Sequence, residues 1–430
     1  MAPANTHVRL ELRLKTRDNF LGRLQNIRFM ASGVFATVIS YFWNGPEVQS
    51  WDLRFHIIRN ILRQYLAESL PHDLSDDMAP KINFSFVADY IAMNNLPSRP
   101  LHPNAGYNHE HDIVLDTGSC VKYNVPHYGI SSDKLNSMAA VDLQAAQNGQ
   151  PRVISCQVVV STQTARFASC NAETDRVLIM EPLDVDERII VHFHGGAYCV
   201  GERSLTHIQV YAQMSRATGL RVFSPNYRLA PRHCFPSQLH DCFSAYSHIV
   251  QLGFKPENII LSGDSAGGAL VVGVLLLLRD MKLPRPAATI LISPWVDSTC
   301  SGESWVRNQG LDYLPALPLD DPFHPTRMFY AAGRQLSKQM LEELQCPLVS
   351  PVFGTDFSDM PPMLIQMGGN ELLHDDIETF ADKVKQQNTD GSKILLEVYD
   401  NMPHVFVLFD FADAAQQAFT SIGNFVRANT

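Results

Sequence analysis

Positive charge is scarce in this chain. Against 44 Asp and Glu stand 34 Lys and Arg, a formal charge of −10 over 430 residues. That balance leaves no basic footprint for nucleic acid and favours a well-solvated surface. Cysteine is sparse and unpatterned. The eight (Cys120, Cys156, Cys170, Cys199, Cys234, Cys242, Cys300 and Cys346) form no C-x-x-C pair. They argue against a zinc site and against a disulfide scaffold, and read as free thiols in a reducing compartment. No metal and no cofactor is expected. His109-Glu110-His111, inside HPNAGYNHEHD (102–112), has no second cluster at ligand spacing and reads as a surface loop. No repeat or low-complexity segment stands out. The apolar run FMASGVFATVISYFW (29–43) is only fifteen residues long, short of the ~20 that span a bilayer. It also starts too late for an ordinary signal peptide. Residues 1–26 before it are polar and rich in Arg and Lys. Three readings stay open: a buried or pocket-covering helix, a membrane-surface helix or short signal anchor, and a cleaved signal.

Hydrophobic residues make up 45% of the chain, enough for a large core without staples. Residues 44–120 mix expected helices (51–70, 84–94) with Pro-rich loops. From about 150 onward the pattern changes. Strands are expected at 154–161, 176–181, 188–194, 221–226, 258–263, 287–294, 362–368 and 393–400, and helices at 205–218, 237–252, 266–280 and 412–428. Continuous apolar strands alternating with helices predict a mostly parallel central sheet with helices on both faces. Such sheets bind ligands at the carboxyl ends of their strands. The segment 295–346 breaks the alternation with Trp295, Trp305, Tyr313, Phe323, Phe329, Tyr330 and many prolines. An insertion of that length predicts a lid or binding region, its aromatics lining a pocket, packing a small cap core, or both. The expected division is a catalytic domain over 150–294 and 347–430, a cap insertion over 295–346, and an N-terminal region (1–120) contributing to the cap.

Three stretches carry chemistry. LSGDSAGGA (261–269) lies between an apolar strand and an apolar helix and satisfies G-x-S-x-G around Ser265. Its glycines suit a sharp strand-to-helix turn that lifts the serine above the sheet edge as a nucleophile. It lacks the G-K-[ST] ending of a phosphate loop. HFHGGAYCVG (192–201) follows another strand. Acyl transfer builds charge on a carbonyl oxygen and needs preorganised N–H donors; Gly195, Gly196 and Ala266 are the expected set, with His194 orienting the loop. A serine also needs a base. Among sixteen histidines, His404 in NMPHVF sits at the carboxyl end of a late strand. The order serine, acid, histidine is that of α/β-hydrolases. The acid comes from GGNELLHDD (368–376). Glu371 lies in the loop just past a strand; Asp375 is one turn further, where first-turn acids suit the helix dipole. Glu371 is the expected acid and Asp375 the alternative.

These stretches resemble the hormone-sensitive-lipase-like family of α/β-hydrolases. HGGAY resembles its HGGG loop, GDSAGG its nucleophile motif, NYRLAP (226–231) its DYRLAP segment and PHVF its histidine loop. Together they cover about residues 185–410. Ala197 replaces a glycine and Asn226 an aspartate. Where the family often writes DPLRD, the first acidic position here is Glu371 and the second is Asp375.

The resemblance implies an α/β-hydrolase fold with a helical cap and a serine carboxylesterase acting on a small-molecule ester of short or medium acyl chain. Ser265, Glu371 and His404 would be the triad. An acetyl ester of a sterol or other small natural product suits an intracellular member, in the cytoplasm or peripheral to an internal membrane, though no residue selects it. Two rivals use the same frame. One is an acyltransferase with an alcohol in place of water. The other is a receptor like the plant gibberellin receptors, which have lost the histidine that is present here.

Overall fold

The structure is a computed structural model that describes residues 33–69, 107–115, 122–123, 132–160, 181–201 and 205–429. The chain divides into two compact units: Met1–Ser69 with Tyr313–Pro315, and Leu70–Asp312 with Ala316–Thr430.

In the larger unit eight strands form one sheet: β1 (Tyr107–Leu115), β2 (Arg152–Val160), β3 (Ile189–Phe193), β4 (Arg221–Pro225), β5 (Ile259–Asp264), β6 (Ala288–Ile292), β7 (Met363–Gly368) and β8 (Ile394–Tyr399). Their order is β1-β2-β4-β3-β5-β6-β7-β8. β2 pairs antiparallel with both β1 and β4, and every other neighbouring pair is parallel. β3 to β7 are buried along their whole length. Helices cover both faces of a parallel sheet, so such strands read as unbroken apolar runs.

The helices are α1 (Leu53–Ser69) in the smaller unit, then α2 (Ser132–Gln147), α3 (Leu205–Thr218), α4 (Ser237–Gln251), α5 (Ala266–Asp280), α6 (Ser304–Arg307), α7 (Pro325–Ala331), α8 (Lys338–Leu344), α9 (His374–Gln387) and α10 (Asp413–Asn429). α5 is apolar all round and buries everything from Ala266 to Leu278. Its Val and Gly content is poor for an isolated helix, so packing against the sheet holds it. α9 is amphipathic, burying Ile377, Phe380, Ala381 and Val384 at helical spacing.

One expectation needs correction. The histidine-rich stretch expected as a surface loop is strand β1, with His109 opposite Val158 and His111 opposite Cys156. Its end alternates: Ile113 and Leu115 are buried while Asp112 and Val114 are exposed, the period-two pattern of a strand with one buried face. The last part of the expected N-terminal cap region is thus a sheet strand. Of the strand expected at 176–181, only Glu181 is described, and it lies in a bend. The helix expected at 84–94 lies outside the described residues.

In the inserted segment, Trp295, Phe329 and Tyr330 are buried. Phe329 stacks on Tyr198 at 3.7 Å between ring centres and meets Phe235 edge-on. These rings pack a core. In the smaller unit, residues 33–44 are helical. Asn60 bonds the Thr37 hydroxyl (3.1 Å), Trp51 stacks on Phe55, and Arg59 pairs with Glu47. Among the described residues no helix is long and apolar enough to cross a membrane.

Candidate active site

β3, β5, β6, β7 and β8 run parallel in register, with Phe193 opposite Gly263 and Asp264 opposite Ile292. Their carboxyl ends therefore deliver His194, Ser265, Ser293, Glu371 and His404 to one edge. Ser265 sits on the turn between β5 and α5 with φ 52° and ψ −122°, a conformation that costs energy in any residue with a Cβ. Glycines make the turn possible. A Cβ on Gly267 would collide with the Phe193 carbonyl oxygen, and one on Gly263 with the Gly267 backbone. The Ser265 N–H donates to the Ile292 carbonyl (2.9 Å), and the Trp295 N–H donates to the Ser265 carbonyl (2.8 Å).

His404 Nε2 lies 2.8 Å from Ser265 Oγ. Behind it, Nδ1 faces Glu371 Oε1 at 3.5 Å. That is long for a hydrogen bond, and closing it takes a movement of about half an ångström. Glu371 has no exposed surface. Its other oxygen accepts from Ser293 Oγ (2.6 Å) and the Gly368 N–H (2.8 Å), so the carboxylate is pinned with Oε1 turned to the imidazole. Burial pulls the His404 pKa down. The Glu371 carboxylate, with the charges of Asp312 and Asp264, outweighs burial, and the net shift is upward.

Asp375 faces away. Its oxygens take Arg307 (2.5 and 3.2 Å) and the Ser304 N–H (2.9 Å). Asp376 accepts from the Trp305 indole (2.9 Å). Both acids tie the start of α9 to the inserted segment.

The expectation that the Gly195 N–H is free for an oxyanion does not hold: it donates to Asp264 Oδ1 at 3.0 Å. Asp264, beside Ser265, also faces His192 Nε2 (2.9 Å) and His207 Nε2 (3.4 Å). Burial works against its charge, but the two imidazoles win and hold the carboxyl well below its usual range. Cys199 and Val200 N–H both donate to the Gly196 carbonyl. Gly196 and Ala197 are the candidate loop donors, both at positive φ (110° and 54°), together with Ala266 N–H at the head of α5. His194 stacks on Tyr227 at 4.3 Å, and its Nδ1 lies 2.7 Å from the Gly195 carbonyl. Buried and beside His207, its pKa falls to about 3, which suits a neutral group that shapes the loop.

The NYRLAP residues brace this loop from below. Tyr227 OH donates to the His194 carbonyl (2.6 Å), Arg228 forks onto Asp241 (3.0 and 2.8 Å), and Asn226 Nδ2 donates to Ser155 Oγ (3.1 Å). Asn226 thus links the end of β4 to β2, a neutral bond where the related motif has a carboxylate. Two residues the motifs do not reveal also belong here. Ser293, at φ 45°, donates to Glu371 and accepts the Val405 N–H (3.0 Å). Asp312 accepts the Leu372 N–H (2.7 Å) and the His404 N–H (3.2 Å). Neither lies in a recognisable pattern.

A strained serine at a strand–helix turn, with a histidine and a buried acid behind it, defines a class. A family profile described as alpha/beta hydrolase fold matches residues 190–408. The chain belongs to the α/β-hydrolase fold family, among its hormone-sensitive-lipase-like members. It is 33% identical over 239 residues to an acetyl-hydrolase of Streptomyces hygroscopicus, covering 55% of this chain and 72% of that protein. It is 31% identical over 241 residues to an esterase of Acinetobacter venetianus, covering 55% and 74%. A hormone-sensitive lipase from a metagenome library superposes with a TM-score of 0.51 at 28% identity over 64% of this chain and 83% of that one. An esterase of the bacterial hormone-sensitive lipase family shares the fold at TM-score 0.61, with 23% identity over 89% and 99%.

Proposed function

We propose that the chain is a serine carboxylesterase in which Ser265, His404 and Glu371 form the triad. The observation that carries it is the 2.8 Å approach of His404 Nε2 to the hydroxyl of a strained Ser265. Ser265 Oγ attacks the ester carbonyl while His404 takes its proton. Glu371 holds the imidazole and stabilises its cation. The oxyanion is received by the N–H groups of Gly196, Ala197 and Ala266, with Ala197 taking the place first expected for Gly195. His404 returns the proton to the leaving alcohol, and water repeats the sequence on the acyl-enzyme. Short acyl groups, acetyl among them, are the proposed substrates. The large buried side chains of Tyr198 and Trp295, stacked 5.7 Å apart beside the Ser265 turn, support this, as does the acetyl-hydrolase name of one relative. Residues 295–346 would serve as the cap.

The test is hydrolysis of p-nitrophenyl esters from acetate to laurate. Ser265→Ala and His404→Ala should lose activity by at least ~10⁴-fold. Glu371→Gln should fall steeply and Asp375→Asn stay near wild type. Because His404 must be neutral to act as base, the acid limb of kcat/KM should sit above an ordinary imidazole's. A wild type inactive on every ester would sink this reading and favour the receptor. An active Glu371→Gln beside a dead Asp375→Asn would move the acid to Asp375.

A lipid surface is the proposed partner of helix 33–44. Phe35, Ile39, Phe42 and Trp43 are 67%, 50%, 76% and 86% exposed, at the i, i+4, i+7, i+8 spacing of one helical face. Aromatic side chains on such a face suit the headgroup boundary.

A further inference from the structure

The inserted segment after β6 grips the loop that carries Glu371. Ser304 Oγ donates to the Leu372 carbonyl (2.6 Å), and Asn308 Nδ2 donates to the carbonyl of Glu371 itself (2.8 Å). The last contact in this series differs in kind. Asp312 is fully buried, and its two oxygens reach two different catalytic loops. Oδ2 accepts the N–H of Leu372, the neighbour of Glu371, at 2.7 Å. Oδ1 accepts the N–H of His404 at 3.2 Å.

We propose that Asp312 is a positioning residue for the reaction: its carboxylate ties the acid loop to the histidine loop, sets the separation of Glu371 from His404, and supports the imidazolium that forms during catalysis. This rests on the triad reading above. Each amide it holds belongs to a triad residue or to the residue next to one, so a shift of Asp312 moves the Glu371–His404 gap directly. That gap is 3.5 Å, where a small displacement decides whether a hydrogen bond forms. Burial, with the nearby Glu371 charge, raises the Asp312 pKa, while His404 and the two amides it holds favour its ionised form. A buried carboxylate is costly to retain, and a neutral side chain could staple two loops as well. Charge is what a neutral staple would lack. The groups facing the imidazole are Glu371 at Nδ1, Ser265 Oγ at Nε2, Asp312 at its backbone and Asp264 from the end of β5. Asp312 is therefore one of three acids whose charge the imidazolium senses.

The experiment compares pH profiles of p-nitrophenyl acetate hydrolysis for wild type, Asp312→Asn and Asn308→Ala, with thermal unfolding of each. Asp312→Asn should lower kcat about ten-fold with KM within about two-fold. It should also move the acid limb of kcat/KM to lower pH, because a negative charge that favours the imidazolium is gone. Asn308→Ala loosens the same grip without changing charge. It should lower kcat and leave the acid limb in place. A kcat loss in Asp312→Asn with an unmoved acid limb would make the residue a loop staple only and overturn the proposal. Wild-type kcat in both variants would overturn it too. If Asp312→Asn does not fold, Asn308→Ala decides: undiminished kcat there shows that the segment does not position the acid. Turnover by wild type that is lost in Ser265→Ala upholds the triad whichever way Asp312 falls.

Discussion

Glu371, Asp375 and Asp376 lie within six residues, yet the backbone turns each into different surroundings. Glu371 points inward between Ser293 and the imidazole. Asp375 reaches partly exposed Arg307, an ion pair of small worth to stability. Asp376 is buried beneath Trp305, and burial, with the nearby Asp297 charge, pushes its pKa up to about 7. The sign of the consequence follows from linkage. An acid whose pKa is higher folded than unfolded binds its proton more tightly in the native state, so its contribution to stability is full below about pH 4. It is then lost as pH rises towards the folded value near 7. Asp376→Asn keeps an acceptor for the indole and cannot ionise. Urea unfolding should find this variant equal to wild type near pH 4 and more stable at pH 8 by on the order of 4 kcal/mol. A difference that does not change with pH would disprove the assignment.

At the scale of elements, the turn at Ser265 is where sequence and packing meet most tightly. A methyl group on Gly267 has no room, because the β3 carbonyl at Phe193 occupies that space; at Gly310 nothing lies within reach of an added Cβ. Gly267→Ala should therefore force α5 away from β3. It should lower stability by about 3 kcal/mol and abolish ester turnover, whereas Gly310→Ala should stay within about 0.5 kcal/mol. Equal melting temperatures for the two variants would refute the close-approach argument. The same packing logic explains what was legible beforehand. Strands β3 to β7 announce themselves because both faces are buried and their residues are mostly apolar without alternation. β1 hides because Asn, His, Glu and Asp fill most of it and its aliphatic residues come only at the end, Ile113 to Leu115. α2 hides because it buries little more than Leu135, Ala139 and Asp142. Ser265 and His404 stood out by motif and by place along the chain. Asp312 and Ser293 did not, because tertiary folding alone brings them to the proposed triad. Gly195 is hard to read for a related reason: the residue type shows that an amide can approach closely, but not that the amide already donates to Asp264.

At the scale of the whole molecule, charge is unevenly spread. Residues 1–32 carry six Arg and Lys against two acids in a chain whose overall charge is −10. The exposed aromatic face of helix 33–44 follows directly. An anionic leaflet attracts nearby basic residues by about 1 kcal/mol each, and apolar side chains at the boundary add to this through buried area. Neither contribution alone gives firm anchoring, so the two should act together. The full chain should float with vesicles containing phosphatidylserine, bind neutral phosphatidylcholine vesicles weakly, and release as salt rises from 0.1 to 0.5 M, roughly the range over which the screening length halves. The double substitution Phe42→Ser and Trp43→Ser should reduce flotation at least about ten-fold at low salt while leaving p-nitrophenyl acetate turnover intact, since neither residue belongs to the triad or its donors. Flotation that ignores both salt and these substitutions would mean that another surface meets the lipid. No flotation under any condition would remove the lipid partner and leave the aromatic face to a protein surface.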